Sequence, residues 1–246
     1  MGVNVAEECQ EATVHAASFD PRGGPVFYAS VPCSTQTFKG HWTNGSGDKD
    51  GLVSLLWDHL VAMDSSLWKC FHSAQRGAFP FHVVRGPLGK PHLLLGEHLG
   101  PAISFSEGGG NVWAAICGDR SDIGIDVAGT DEFRKGYPFH RVFNDQELQH
   151  ALRLADGELG CASALLWSIK EAVVKALGCA FHLVEPLQIK VYPAVAGKDG
   201  GYTFPARLTG KALMRFPMGA GRSIWVRSFP HAKMWLSISL LNWQPR

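Results

Sequence analysis

The stretch "WSIKEAVVKALG", residues 167–178, sets two lysines and a glutamate among apolar neighbours. On a helix, positions three and four apart share a face, so Trp167, Lys170, Glu171, Val174 and Lys175 form one strip. Glu171 and Lys175 have the spacing of an i,i+4 ion pair, which contributes only about 0.2–0.5 kcal/mol on a solvated surface. Ala162, Leu165, Ile169, Ala172, Val173 and Ala176 spread around the remainder, which predicts a helix packed on several sides. The charges then either cover a solvated face or serve a ligand.

A second segment, "DIGIDVAGT", sharpens the choice. Asp126 stands between Ile125 and Val127 in an apolar strand, where a carboxylate is costly unless it is paired, hydrogen-bonded or bound to a cation. Strand parity puts Gly124 and Asp126 on one side, with room above the glycine. A strand carboxylate facing a glutamate flanked by lysines suits Mg²⁺ held against a phosphate, since magnesium takes one or two carboxylates and fills its remaining sites with water and phosphate oxygens. The competing reading makes Asp126 a strand-ending residue that caps the turn at Gly129-Thr130.

The elements that must position these groups follow from apolar spacing. "PVFYASV" reads as a strand, and Leu52, Leu55, Leu56, Leu60 and Met63 mark a helix within residues 52–71. "AFPFHVVRGPLGKPHLLL" reads as strand, tight loop, strand, and "ISFSEGGGNVWAAI" as a hairpin with glycines at its tip. "SDIGIDVAG" is a further strand. Asn144 with Glu147 three residues on forms a capping box opening a helix to Leu154, and a longer helix runs from Leu159 to Leu177, ended by Gly178. "PLQIKVYPA", "GRSIWVRSF" and "KMWLSISLL" close the chain as strands. Helix then strands occurs twice, which predicts an α+β fold of two similar subdomains: residues 20–117 and 118–246, after a loose tail over residues 1–19.

Composition narrows the partners. The 246 residues are 46% hydrophobic and 18% charged, enough for a sizeable core, and 23 Lys and Arg against 22 Asp and Glu give no global pull towards nucleic acid or membrane. Six cysteines, Cys9, Cys33, Cys70, Cys117, Cys161 and Cys179, form no C-x-x-C pair, which points to a reducing cytoplasm. No signal peptide or membrane-length apolar run is legible. G-x-S-x-G, Walker A and H-E-x-x-H patterns are absent from the sequence, which disfavours a serine hydrolase, a P-loop enzyme or a zincin.

The chain resembles the 4′-phosphopantetheinyl transferases, in particular their larger Sfp-like, pseudo-dimeric branch. The resemblance rests on "GID" ending at Asp126 and "WSIKEAVVK" following at the family's separation, with "RGPLGKP" matching a G-K-P element and "ISFSEGGG" standing where the family has S-H-S. It implies two α+β subdomains about a pseudo-twofold, a monomer, and transfer of phosphopantetheine from coenzyme A to a serine of an apo acyl or peptidyl carrier protein. By the same resemblance Asp126 and Glu171 would hold Mg²⁺, and Glu171 would accept the serine proton. Lys170 and Lys175 would neutralise phosphate charge, Lys90 would border the adenine, Arg85 would meet the 3′-phosphate, and Ser104 would line the nucleotide pocket. Trp167 would anchor the helix. Phe133, Phe139 and Phe143 are expected either as carrier contacts or as core residues.

Three features depart from the family, one being the scarcity of the basic residues usual in and before the first helix, since "LVSLLWDHLVAMDSSLW" contains neither Lys nor Arg. Ala128 stands where a second strand acid often lies, and Phe105 replaces the S-H-S histidine, removing a hydrogen-bond donor. A non-catalytic carrier-protein binder is therefore the rival reading. The pathway served (fatty acid, polyketide, polyunsaturated lipid or nonribosomal peptide) is not encoded in these motifs.

Overall fold

The computed structural model describes residues 12–19, 25–33, 47–63, 81–118, 121–133, 137–217 and 224–242. The first part of the expected tail, residues 64–71 of the expected first helix and residues 134–136 lie outside them.

The N-terminal elements are β1 (His15–Ala17), β2 (Val26–Pro32), α1 (Gly47–Ala62), β3 (Phe81–Arg85), β4 (Pro91–Leu95), β5 (His98–Gly108) and β6 (Asn111–Cys117). They form an antiparallel sheet in the order β1-β2-β6-β5-β4-β3. The C-terminal elements are β7 (Asp122–Gly129), α2 (Asp145–Leu154), α3 (Leu159–Leu177), β8 (Ile189–Val191), β9 (Val195–Ala196), β10 (Tyr202–Leu208), α4 (Gly210–Arg215), β11 (Ile224–His231) and β12 (Met234–Leu241). Their sheet runs β7-β12-β11-β10-β8, with β9 beside β10. Apart from the edge strand β1, each half runs strand, helix, then strands that return to the start: β6 pairs with β2, and β12 pairs with β7. The fold is α+β, as the order of elements predicts.

Residues 12–19 differ from the expected tail. His15–Ala17 pairs with Val26–Tyr28, and Ala17 and Phe19 are buried. Two apolar side chains at alternate positions favour attachment to a sheet edge over solution. The strand β10 also escaped the sequence reading, because Pro205 interrupts its pattern. Pro205 stands between the residues of β10 that pair with β9 and those that pair with β8, where a missing N–H interrupts no continuous ladder.

Three buried clusters follow from strand parity. Leu52, Val53, Leu56 and Leu60 of α1 cover Phe27, Ala29, Ile103, Ala114 and Ile116 on one face of the first sheet. The opposite face, with Val26, Tyr28, Trp113 and Ala115, meets Ile123, Ile125, Val127, Leu236, Ile238 and Leu240 of the second sheet. The far face of the second sheet receives α3. Among the described residues no helix is long and apolar enough to cross a membrane.

The joint between the sheets relies on two serines. Ser104 Oγ accepts the Ile125 N–H at 3.1 Å, and Ser106 Oγ accepts the Val127 N–H at 3.2 Å. Residues two apart on β5 therefore satisfy amides two apart on β7, the strand at the end of its sheet. The β5–β6 turn lies beside this joint, with Gly109 and Gly110 at φ of 61° and 76°, values that suit glycine in a two-residue hairpin.

The space above Gly124 is filled by α3. A Cβ at that position would lie 2.0 Å from the Ala172 carbonyl oxygen and 2.6 Å from the Ala176 nitrogen, so only glycine admits the helix this close. Gly124→Ala is expected to lift α3 off β7 and to cost at least about 1–3 kcal/mol, as overpacked cores do. A urea midpoint equal to that of the parent protein would contradict this account.

Candidate active site

The close approach at Gly124 brings one face of α3 onto Asp126. Asp126 is buried, on the same side of β7 as Gly124. Lys175, one turn along α3 from Glu171, places Nζ 2.7 Å from Asp126 Oδ1. The same ammonium donates to Ile125 O at 3.1 Å, Ser106 Oγ at 3.2 Å and Phe105 O at 3.3 Å. Ser106 in turn donates to Asp126 Oδ1 at 3.1 Å. With the Val127 N–H and Lys175 as its donors, the Ser106 hydroxyl has its one proton and two lone pairs in use.

Glu171 is the charge this arrangement leaves least comfortable. Burial pushes its carboxyl up to about 7, Asp126 adds to the shift by repulsion, and Lys175 opposes it. Glu171 also contributes, after burial and Glu132, to holding the Tyr137 phenol above its usual range. Two carboxylates from two elements, with one lysine bound to Asp126, suit a small divalent cation that would relieve their repulsion. Among the described residues no cluster of three or more His, Cys, Asp or Glu side chains could hold a metal, so a cation bound here would have only this carboxylate pair as side-chain ligands. A hard ion that keeps water and phosphate oxygens as its other ligands matches such a set.

Lys170 is elsewhere, which corrects the expectation that it neutralises phosphate. Its side chain has no exposure, and its ammonium donates to Glu147 Oε1 at 2.5 Å, Val142 O at 2.9 Å, Pro186 O at 2.9 Å and Ile189 O at 3.1 Å. Adjacent helical residues point about 100° apart, so Glu171 can face Asp126 while Lys170 faces α2. Burial lowers the Lys170 pKa and Glu147 opposes that shift. Glu147 itself also accepts from the Asn144 and Val191 N–H groups, so the pair forms a closed polar core between α2, α3 and β8.

The other residues singled out by sequence are dispersed. Ser104 is 3% exposed with its hydroxyl on the Ile125 N–H, so it lies in the joint between the sheets and does not line an open pocket. Lys90 donates to Asp122 Oδ1 and, at 3.1 Å, to Ala176 O. Arg85 is exposed at the end of β3, with Nη1 3.4 Å from Gly89 O. Phe105 points to the α1 side of β5, where Lys49 Nζ lies 5.9 Å from its ring centroid. Ala128 is 1% exposed in the core under α3.

Phe133 and Phe143 are buried and pack around Tyr137 and Phe139, so their core reading holds and their reading as carrier contacts does not. Trp167 packs beside Phe133 and Phe181. Ser106 and Glu147 were missed as site and support residues. Parity alone puts Ser106 on the same side as Ser104, whereas Glu147 was accounted for by its capping role.

No curated protein matches the chain. Residues 122–205, the stretch that carries Asp126, Glu171 and Lys175, match the family model of the 4′-phosphopantetheinyl transferase superfamily.

Proposed function

We propose that the protein transfers the 4′-phosphopantetheine group of coenzyme A to a serine of an apo acyl or peptidyl carrier protein, with Mg²⁺ at Asp126 and Glu171. The observation that carries this reading is that Asp126 on β7 and Glu171 on α3 are close enough to repel each other, with Lys175 bound to Asp126. In the balanced reaction the serine oxygen bonds to the β-phosphorus, the bond from that phosphorus to the bridging oxygen breaks, and 3′,5′-ADP leaves with the electron pair. Phosphoryl transfer of this kind depends on positioning and charge neutralisation more than on covalent catalysis.

The residues divide the work accordingly. Magnesium, when bound, would supply positive charge against the diphosphate. Glu171 accepts the serine proton, directly or through water. Lys175 and Ser106 fix the Asp126 carboxylate through Oδ1, so its orientation is set before substrate arrives. Arg85 is the exposed guanidinium assigned to the 3′-phosphate. The strand order repeated in one chain supports a monomer.

The test is a mass measurement. The protein is incubated with coenzyme A, Mg²⁺ and a panel of apo carriers from fatty acid, polyketide and nonribosomal peptide systems. At least one carrier is expected to gain the phosphopantetheine arm, and the gain should disappear with excess chelator. Carriers that bind without gaining mass would establish the non-catalytic binder instead.

A further inference from the structure

We infer that Lys90 is a positioning residue whose ammonium braces the C-terminal end of α3 against the first residue of β7 and thereby sets the placement of Glu171 relative to Asp126.

Asp126 and Glu171 belong to different elements, so their geometry is only as good as the docking of α3 on β7. That docking is set by the approach of Ala172 and Ala176 to Gly124 and, on the neighbouring strand β12, by the Ser168 and Ser237 hydroxyls 2.7 Å apart. The last carbonyls of the helix still need partners, because they lack intrahelical donors. The chain itself supplies donors for two of them: the Gly178 N–H reaches Lys175 O at 3.0 Å and the Cys179 N–H reaches Val174 O at 3.0 Å. Ala176 O is met by Lys90 Nζ at 3.1 Å, from the other sheet.

The same ammonium bonds Asp122, where β7 begins. One cation thus holds the end of the helix and the start of the strand together, and a positive charge at a helix C-terminus is favourable in itself. The Lys90 side chain is only 15% exposed. Its stem crosses Gly178, whose φ is 76°, and a Cβ there would lie 2.7 Å from Lys90 Cδ. Gly178 is therefore required both by its left-handed backbone and by the lysine laid over it.

The donor is itself held in place. Gly86 N–H bonds Lys90 O at 2.9 Å and Gly89 N–H bonds Gly86 O at 2.9 Å, closing the turn between β3 and β4 that carries Lys90. A turn of one sheet thereby reaches over to the helix that packs on the other.

The test compares Lys90→Met, which keeps the stem and removes the charge, with Lys90→Arg, which restores a cation. Two readouts are needed: amide hydrogen exchange across residues 174–179, and kcat and KM for coenzyme A in the carrier assay. The kinetic part rests on the transferase reading; the exchange part does not. Lys90→Met is expected to speed exchange at Gly178 and Cys179 and to lower kcat roughly tenfold to a hundredfold, the scale of a displacement of about 1 Å at a reacting centre. KM for coenzyme A should change less than about twofold, because the lost contact is not made to substrate. Lys90→Arg should recover part of both losses. Unchanged exchange in Lys90→Met overturns the brace, and so does a loss carried by KM, which would assign Lys90 to the nucleotide. If the parent protein transfers nothing to any carrier, the transferase reading fails by itself and the exchange rates still decide whether Lys90 braces the helix.

Discussion

Glu171→Gln should reduce phosphopantetheine transfer by about 10²–10⁴-fold, the range supplied by a positioned general base, while leaving the protein folded. Glutamine has nearly the same shape, but it cannot take the serine proton and is a poor ligand for a hard cation. The loss should appear in kcat, measured by mass gain on a saturating carrier. The stability effect should run the other way. In metal-free protein the Glu171 carboxyl is raised from 4.5 to about 7, so between those values the folded state holds a proton that the unfolded state has released. Stability contributed at this position therefore falls as pH rises through that window, and the glutamine variant lacks the decline. Full activity in Glu171→Gln would remove this residue from the chemistry.

Lys170→Met should cost about 3–5 kcal/mol, the usual penalty for stranding one member of a buried ion pair. The loss is large against a total stability of about 5–15 kcal/mol for a typical domain. Removing the ammonium leaves the Glu147 carboxylate uncompensated and withdraws the donor shared by Val142, Pro186 and Ile189 carbonyls. Glu147→Gln added to Lys170→Met should recover part of the loss, since the stranded charge is then gone. Equilibrium unfolding in guanidinium chloride measures both variants. A Lys170→Met protein of parental stability that binds coenzyme A poorly would return Lys170 to the phosphate site.

The contrast between these neighbours shows what sequence could and could not reveal. An aspartate isolated between Ile125 and Val127 and a Glu171–Lys175 pair at i,i+4 are departures from apolar pattern, and such departures are readable because they are costly without a partner. The partners themselves are long-range. Lys170 and Glu171 look equivalent in a linear motif, and only the location of Glu147 on α2 sends the lysine into the core. Ser104 and Ser106 likewise become structural once β5 is known to lie along β7. The helices and hairpins followed from local periodicity and glycine placement. His15–Ala17 and β10 did not, since three residues carry too little pattern and Pro205 interrupts what pattern its strand has.

The serine seam makes the union of the two halves a matter of odd and even. On β5, Ser104 and Ser106 alternate with Ile103 and Phe105, which belong to the α1 side. Moving β5 along by a single residue would present bulky apolar groups to the β7 amides and turn both hydroxyls towards a greasy core. Half-steps are thus forbidden. The Asp126 pocket inherits its alignment from that rule, because the hydroxyl that keys the strand edge also steadies the acid.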